Sequence, residues 1–199
     1  MSNNYNTLPD GLPVPIDDGQ AAHLVGLRLP NISLPCTNGG SFNFKVNSDP
    51  KKLNQEKLSH QNLVIYVYPL TGQPNIALPE GWDDIPGARG CTPQACDFSD
   101  HHQQFSNLNT QVFGLSTQNT TYQLELKNRL HLPFDLLSDS DFKLKQFLNL
   151  PTFKVGELTL YKRLTLIIEQ NIIKKVFYPV FPPNQHATQV LDWLKSQQS

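Results

Sequence analysis

Three cysteines occur in this 199-residue chain, and two of them stand five residues apart in Gly90-Cys91-Thr92-Pro93-Gln94-Ala95-Cys96. The residues that follow predict a helix, because Phe98, His102, Phe105 and Leu108 recur at spacings of three and four along one face. Pro93 fits that helix only in its first turn, where the missing N–H has no intrahelical partner to lose. Cys91 therefore stands at the helix start, where unpaired N–H groups and the helix dipole favour a thiolate. On a regular helix, positions i and i+5 have Cα atoms roughly 8 to 9 Å apart, beyond the roughly 7 Å that a disulfide spans. A Cys91–Cys96 bond thus requires the first turn to unwind, which suits a bond made and broken during turnover. Two buried small hydrophobes, or a fragment of a metal site, are the alternatives. Cys91, Cys96, His101 and His102 would point their ligands in different directions from one helix, unlike a zinc knuckle, so no metal is expected. His101 and His102 read as an ordinary helix face.

Several elements must position this pair. Ile32 to Phe44, with Gly39-Gly40 at its centre, reads as a hairpin, and it carries Cys36 as a buried core thiol. Leu63-Val64-Ile65-Tyr66-Val67-Tyr68 reads as a buried central strand stopped by Pro69. Gln111 to Leu115 is a second strand, followed by a helix from Gln118 to Leu130 and a short strand over Phe134 to Leu137. Asp139 or Ser140 is expected to cap a helix carrying Phe142, Leu144, Phe147 and Leu148. Leu164–Glu169 and Ile172–Phe177 flank Gln170-Asn171 as a hairpin, and His186 to Lys195 closes the chain as a helix. This order predicts a mixed α/β layered sheet. The Pro- and Gly-rich segment from Thr71 to Arg89 is a long loop between a central strand and the Cys91 helix, where functional or protective loops are found. Trp82 within it reads as a lid or as an anchor, and Arg89 as a solvated side chain.

Composition bounds the rest. Hydrophobic residues make up 38% and charged residues 17%, with a net charge of −1, which excludes a charge-driven nucleic-acid or membrane-surface role. No apolar run approaches the roughly 20 residues of a membrane span. The first residues lack a signal peptide's apolar region, and the odd cysteine count suits a reducing compartment, so a cytoplasmic location is expected. The organisation expected is an irregular arm over residues 1–28 and one domain over 29–199.

With these features assembled, the chain resembles the peroxiredoxins, and among them the bacterioferritin-comigratory or Q-type branch. The resemblance runs from Leu29 to Leu194 and rests on three markers. They are Gly90-Cys91-Thr92-Pro93-Gln94-Ala95-Cys96-Asp97-Phe98, Leu136-Leu137-Ser138-Asp139, and Arg163 just before the penultimate strand. It implies a thioredoxin-like fold, a central mixed sheet flanked by helices with an N-terminal hairpin extension. It also implies a thiol peroxidase acting on hydrogen peroxide and organic hydroperoxides without metal, haem or flavin. Residue by residue, Cys91 matches the peroxidatic cysteine, Cys96 the resolving cysteine, and Arg163 the arginine that stabilises thiolate and peroxide. The implied cycle runs through a Cys91 sulfenic acid and a Cys91–Cys96 disulfide, recycled by thioredoxin or a glutaredoxin. Resolution within one chain goes with a monomer or weak homodimer. The family pattern Pro-x3-Thr-x2-Cys is broken here, with Ala88 at the threonine position and Asp84 at the proline. Thr71, in Tyr68-Pro69-Leu70-Thr71-Gly72, is the candidate catalytic threonine, with Pro69 shielding the site. Gln94 stands where many relatives carry Glu. A thioredoxin-type oxidoreductase would want two residues between its cysteines rather than four, and a non-enzymatic redox sensor would use the same cysteines but react once.

Overall fold

Nine strands and five α-helices are seen in the computed structural model, which describes residues 7–44 and 62–198. The first six arm residues, Met1 to Asn6, lie outside the described residues. In chain order the strands are β1 (Ser33–Pro35), β2 (Ser41–Asn43), β3 (Asn62–Val67), β4 (Thr110–Ser116), β5 (Leu136–Ser138), β6 (Thr152–Val155), β7 (Leu158–Tyr161), β8 (Leu164–Glu169) and β9 (Ile172–Phe177). The helices are α1 (Cys91–Asp100), α2 (His102–Asn107), α3 (Thr120–Leu130), α4 (Lys143–Leu148) and α5 (His186–Ser196).

The central sheet has the order β5-β4-β3-β8-β9. Strand β3 lies in the middle, parallel to β4 and antiparallel to β8. Alternate strand side chains face opposite sides of a sheet, and β3 shows why its apolar run is almost continuous. Ile65 and Val67 enter a core with the β1–β2 hairpin, α4 and Leu24, whereas Val64 and Tyr66 enter a second core with α1, α2, α3 and α5. The β8–β9 hairpin turns at Gln170 and Asn171, both with positive φ, as a tight two-residue turn demands. Residues 1–28 were expected to form an arm, yet from Ala21 onward the chain is built into the first core: Ala21 is 4% exposed and Leu24 is 0% exposed.

Two local expectations are corrected. The single helix expected after Cys91 is two, because the chain breaks at His101, whose N–H and Nδ1 both engage the Asp97 carbonyl oxygen. Phe98 and Phe105 nonetheless share one core across the break. The helix expected to carry Phe142 begins after it. Phe142 has φ +56° and Lys143 opens α4, while the Asp139 carboxylate accepts from the N–H groups of Leu144 and Lys145 at 3.0 to 3.2 Å. Phe147 on α4 is exposed, whereas Leu144 and Leu148 are buried. The β6–β7 hairpin was not anticipated. Its signal was present, since Phe153, Val155, Leu158 and Leu160 alternate with polar neighbours around Gly156-Glu157.

Candidate active site

Cys91 is the first residue of α1 and is buried at 4% exposure. Gly90 before it holds φ +102°, and an added Cβ would lie 2.5 Å from Pro183 Cγ and 2.7 Å from Leu8 Cδ2. Only glycine meets both demands, so the entry to the helix is fixed by one residue. Arg163 stands between β7 and β8 and is 3% exposed. Its Nη2 donates to Cys91 Sγ at 3.1 Å. The same nitrogen donates to the carbonyl oxygens of Ala88 and Arg89 at 3.1 Å, while Nε donates to Gly87 O at 3.2 Å. Nη1 donates to Gln94 Oε1. Three successive carbonyls of the loop that enters α1 thus hold the guanidinium plane against the sulfur, a geometry that a planar five-donor fork allows and a lysine does not. A full positive charge in a buried site stabilises an anion there far more than it would in water.

The other candidates fall at different distances from this pair. Cys96 lies within α1, half-buried, and burial pushes its thiol up. All three cysteines are free, and Cys36 is 3% exposed in the core. Thr71 is buried, but its hydroxyl donates to Gln118 Oε1 at 3.2 Å and its N–H to the same oxygen at 3.0 Å. The Thr71 donor is therefore committed to Gln118 rather than to Cys91. Pro69 is buried too. Ala88, three residues before Cys91, is fully buried against Trp82 and Leu160. Trp82 packs on Phe153 with ring centroids 6.2 Å apart, anchoring the 71–89 loop on the β6–β7 hairpin. Arg89, expected to be solvated, has a side chain only 15% exposed and pairs with Asp83 at 3.0 Å.

Three buried polar groups lie near the cysteines: Gln94, already marked in the sequence, and Asp97 and His186, to which the sequence assigned no role. Gln94 is 0% exposed, and its Nε2 has no hydrogen-bond partner among the described residues. A buried unpaired donor costs about 1–3 kcal/mol. Asp97 accepts from the Ala187 N–H at 2.6 Å, capping α5 from α1, and burial pushes its carboxyl up. His186 is also 0% exposed, with Nε2 2.9 Å from Thr165 Oγ1, and burial holds its pKa down to about 4. No local pattern ties residues 97 and 187; only the packing of α1 against α5 does. Beneath them, Tyr66 stacks on Phe98 at 4.6 Å, and Gly114 opposite it on β4 makes room, since a Cβ there would lie 2.7 Å from the Tyr66 hydroxyl. Among the described residues, no group of three or more His, Cys, Asp and Glu side chains is placed to hold a metal ion. No described helix is long and apolar enough to cross a membrane.

A mixed five-stranded sheet between helices, with a buried cysteine opening a helix beneath an arginine, defines a thioredoxin-like redox fold. Solved structures agree on that fold. Peroxidoxin BcpB from Mycobacterium tuberculosis aligns with a TM-score of 0.65 at 21% identity, covering 88% of this chain and 98% of that one. Peroxiredoxin Q from Xanthomonas campestris aligns with a TM-score of 0.62 at 17% identity, covering 94% and 99%. The sequence profile of the Redoxin family matches residues 24–191, so the chain belongs to that family, as a peroxiredoxin of the Q or bacterioferritin-comigratory type. Peroxiredoxin Q, chloroplastic, from Suaeda salsa is 28% identical over 157 residues, 78% of this chain and 65% of the relative. Its counterpart from Oryza sativa subsp. japonica is 29% identical over 156 residues, 77% and 64%. The chain thus spans about 65% of the length of these relatives.

Proposed function

We propose that this chain is a thiol peroxidase in which Cys91 reduces hydrogen peroxide and organic hydroperoxides. The observation that carries this reading is the Arg163 Nη2 placed 3.1 Å from Cys91 Sγ at the first residue of α1. An ordinary thiol, with pKa about 8.5, is only about 3% ionised at pH 7. The attacking species is the anionic sulfur, and the Arg163 guanidinium lies where negative charge on that atom meets a buried donor. The thiolate attacks one peroxide oxygen, the O–O bond breaks, and the departing alkoxide or hydroxide takes a proton. Cys91 is left as the sulfenic acid.

Cys96 then attacks the sulfenic sulfur, forming the Cys91–Cys96 disulfide and releasing water. Both residues lie in the regular α1 helix, so their approach needs the first turn of α1 to open. A dithiol protein, thioredoxin or a glutaredoxin, reduces the bond by exchange. Three free cysteines suit a reducing, cytoplasmic setting, and resolution within one chain suits a monomer or weak homodimer.

The test is peroxide consumption with a thioredoxin recycling system, comparing wild type, Cys91→Ser and Cys96→Ser. The expected result is turnover by wild type, none by Cys91→Ser, and a single oxidation without efficient recycling by Cys96→Ser. Full activity in Cys91→Ser, or a wild type no faster than a free thiol, sinks the reading and leaves a sensor that reacts once.

A further inference from the structure

Beside the backbone N–H groups at the start of α1, the peroxidase reading leaves a side-chain donor missing. As the O–O bond breaks, charge collects on the leaving oxygen, and preorganised hydrogen-bond donors there carry most of the acceleration. The position three residues before Cys91 is Ala88, which has no hydroxyl, and the Thr71 hydroxyl donates to Gln118. Arg163 alone reaches the sulfur from this set.

Gln94 sits one helical turn beyond Cys91 on α1, and side chains at i and i+3 share a face. Its amide orientation follows from chemistry. Arginine has donors and no acceptor, so the group facing Arg163 Nη1 must be the amide oxygen. The NH2 end is therefore the free end. Nη1 on Gln94 and Nη2 on Cys91 Sγ are the two terminal nitrogens of one guanidinium, which sets the carboxamide and the sulfur side by side. At that place Nε2 is fully buried with no hydrogen-bond partner among the described residues. A glutamate would offer only a second acceptor there; glutamine offers an N–H.

We propose that Gln94 is a catalytic residue whose Nε2–H donates to the leaving peroxide oxygen, supplying the donor that the 88 position lacks. This rests on the peroxidase reading. The step balances as thiolate plus hydroperoxide plus one proton giving sulfenic acid plus alcohol. Sulfur gains the terminal oxygen with its hydrogen, and the O–O bond breaks. The alkoxide, hydrogen-bonded by Gln94 and Arg163, takes its proton from solvent.

The experiment compares two reactions of Cys91 in a Cys96→Ser chain carrying Gln94→Glu or Gln94→Met. One reaction is oxidation by hydrogen peroxide, and the other is alkylation by iodoacetamide, which needs the thiolate but no donor for a leaving oxygen. Both are read on the high-pH plateau, where the thiolate is fully formed in each variant. Gln94→Glu keeps the acceptor for Arg163 and nearly the same shape, so it remains informative if Gln94→Met folds poorly. The expected result is a peroxide rate lowered about 100- to 1000-fold with alkylation changed less than about threefold. Parallel loss of both rates would mean that Gln94 acts only through Arg163, and unchanged peroxide rates would mean that it does not act; either overturns the proposal. A parent chain no faster than a free thiol would instead overturn the peroxidase reading itself.

Discussion

Arg163 ties the candidate site together through one side chain. Its guanidinium contacts the Cys91 sulfur, Gln94 and the carbonyls of Gly87, Ala88 and Arg89 at once. Charge alone would be supplied by lysine, but lysine is a point donor and cannot span the sulfur and three carbonyls. Arg163→Lys therefore separates charge from geometry. The expected outcome is a fall of about 100-fold or more in the rate of Cys91 oxidation, the scale of one lost transition-state donor, although the positive charge remains. Rapid-mixing kinetics with hydrogen peroxide measure it, and a variant within threefold of wild type would show that charge suffices. The Arg163 fork also explains why the 71–89 loop needs an anchor. Trp82 on Phe153 holds the loop whose last carbonyls aim the arginine.

At the scale of elements, α1 is joined to α5 by groups whose protonation matters. Burial lowers His186 to about 4 from an ordinary value of 6.5, with Arg163 adding repulsion to the charged form. Between those values the unfolded chain binds a proton that the folded chain refuses, so stability rises with pH from about 4 to 6.5 and is lost on acidification. The contribution is on the order of 3 kcal/mol. Asp97 works in the other sense, because its raised carboxyl makes the folded state hold a proton more tightly at low pH. Urea midpoints at pH 4.5 and 7 should therefore differ more for wild type than for His186→Asn, and equal differences would refute the assignment. These groups also mark where sequence reading ends. The apolar run of β3, the two hairpins at residues 32–44 and 164–177, and the helix that opens at Cys91 were legible because period and turn chemistry are local. The break at His101 and the displacement of Phe142 turn on local bonds of His101 to Asp97 and of Asp139 to Leu144 and Lys145, which periodicity does not record, whereas the meeting of Cys91 with Arg163 was set by contacts across distant segments. The motif supplied the residues of the site but not the commitment of Thr71 to Gln118 or the unpaired amide of Gln94.

For the whole molecule, the open matter is where the domain begins, and two kinds of contact weigh differently on it. Residues 7–20 lie on the surface: Val14 and Ile16 are 63% and 86% exposed, although with Pro15 they wall a cavity of about 310 Å³ beside Arg163. Asp18 bonds Lys162 and, at 2.7 Å, the Tyr178 hydroxyl, which lowers its pKa to about 2. Exposed ion pairs contribute about 0–1 kcal/mol, so this stretch holds on weakly. Beyond it the balance changes. Leu24 is 0% exposed in the core, and Gly26 and Leu27 exchange backbone hydrogen bonds with Ile173 at 2.8 and 2.9 Å. Losing a fully buried leucine alone costs about 2–5 kcal/mol. A chain starting at residue 21 should lose less than about 2 kcal/mol in urea unfolding, whereas one starting at residue 29 should lose more than about 4 kcal/mol or fail to fold. Equally small losses from the two truncations would return the boundary to Leu29. A small loss from the first with a large loss from the second would make residues 21–28 part of the domain that holds Cys91, and leave 7–20 as a detachable wall of the cavity next to it.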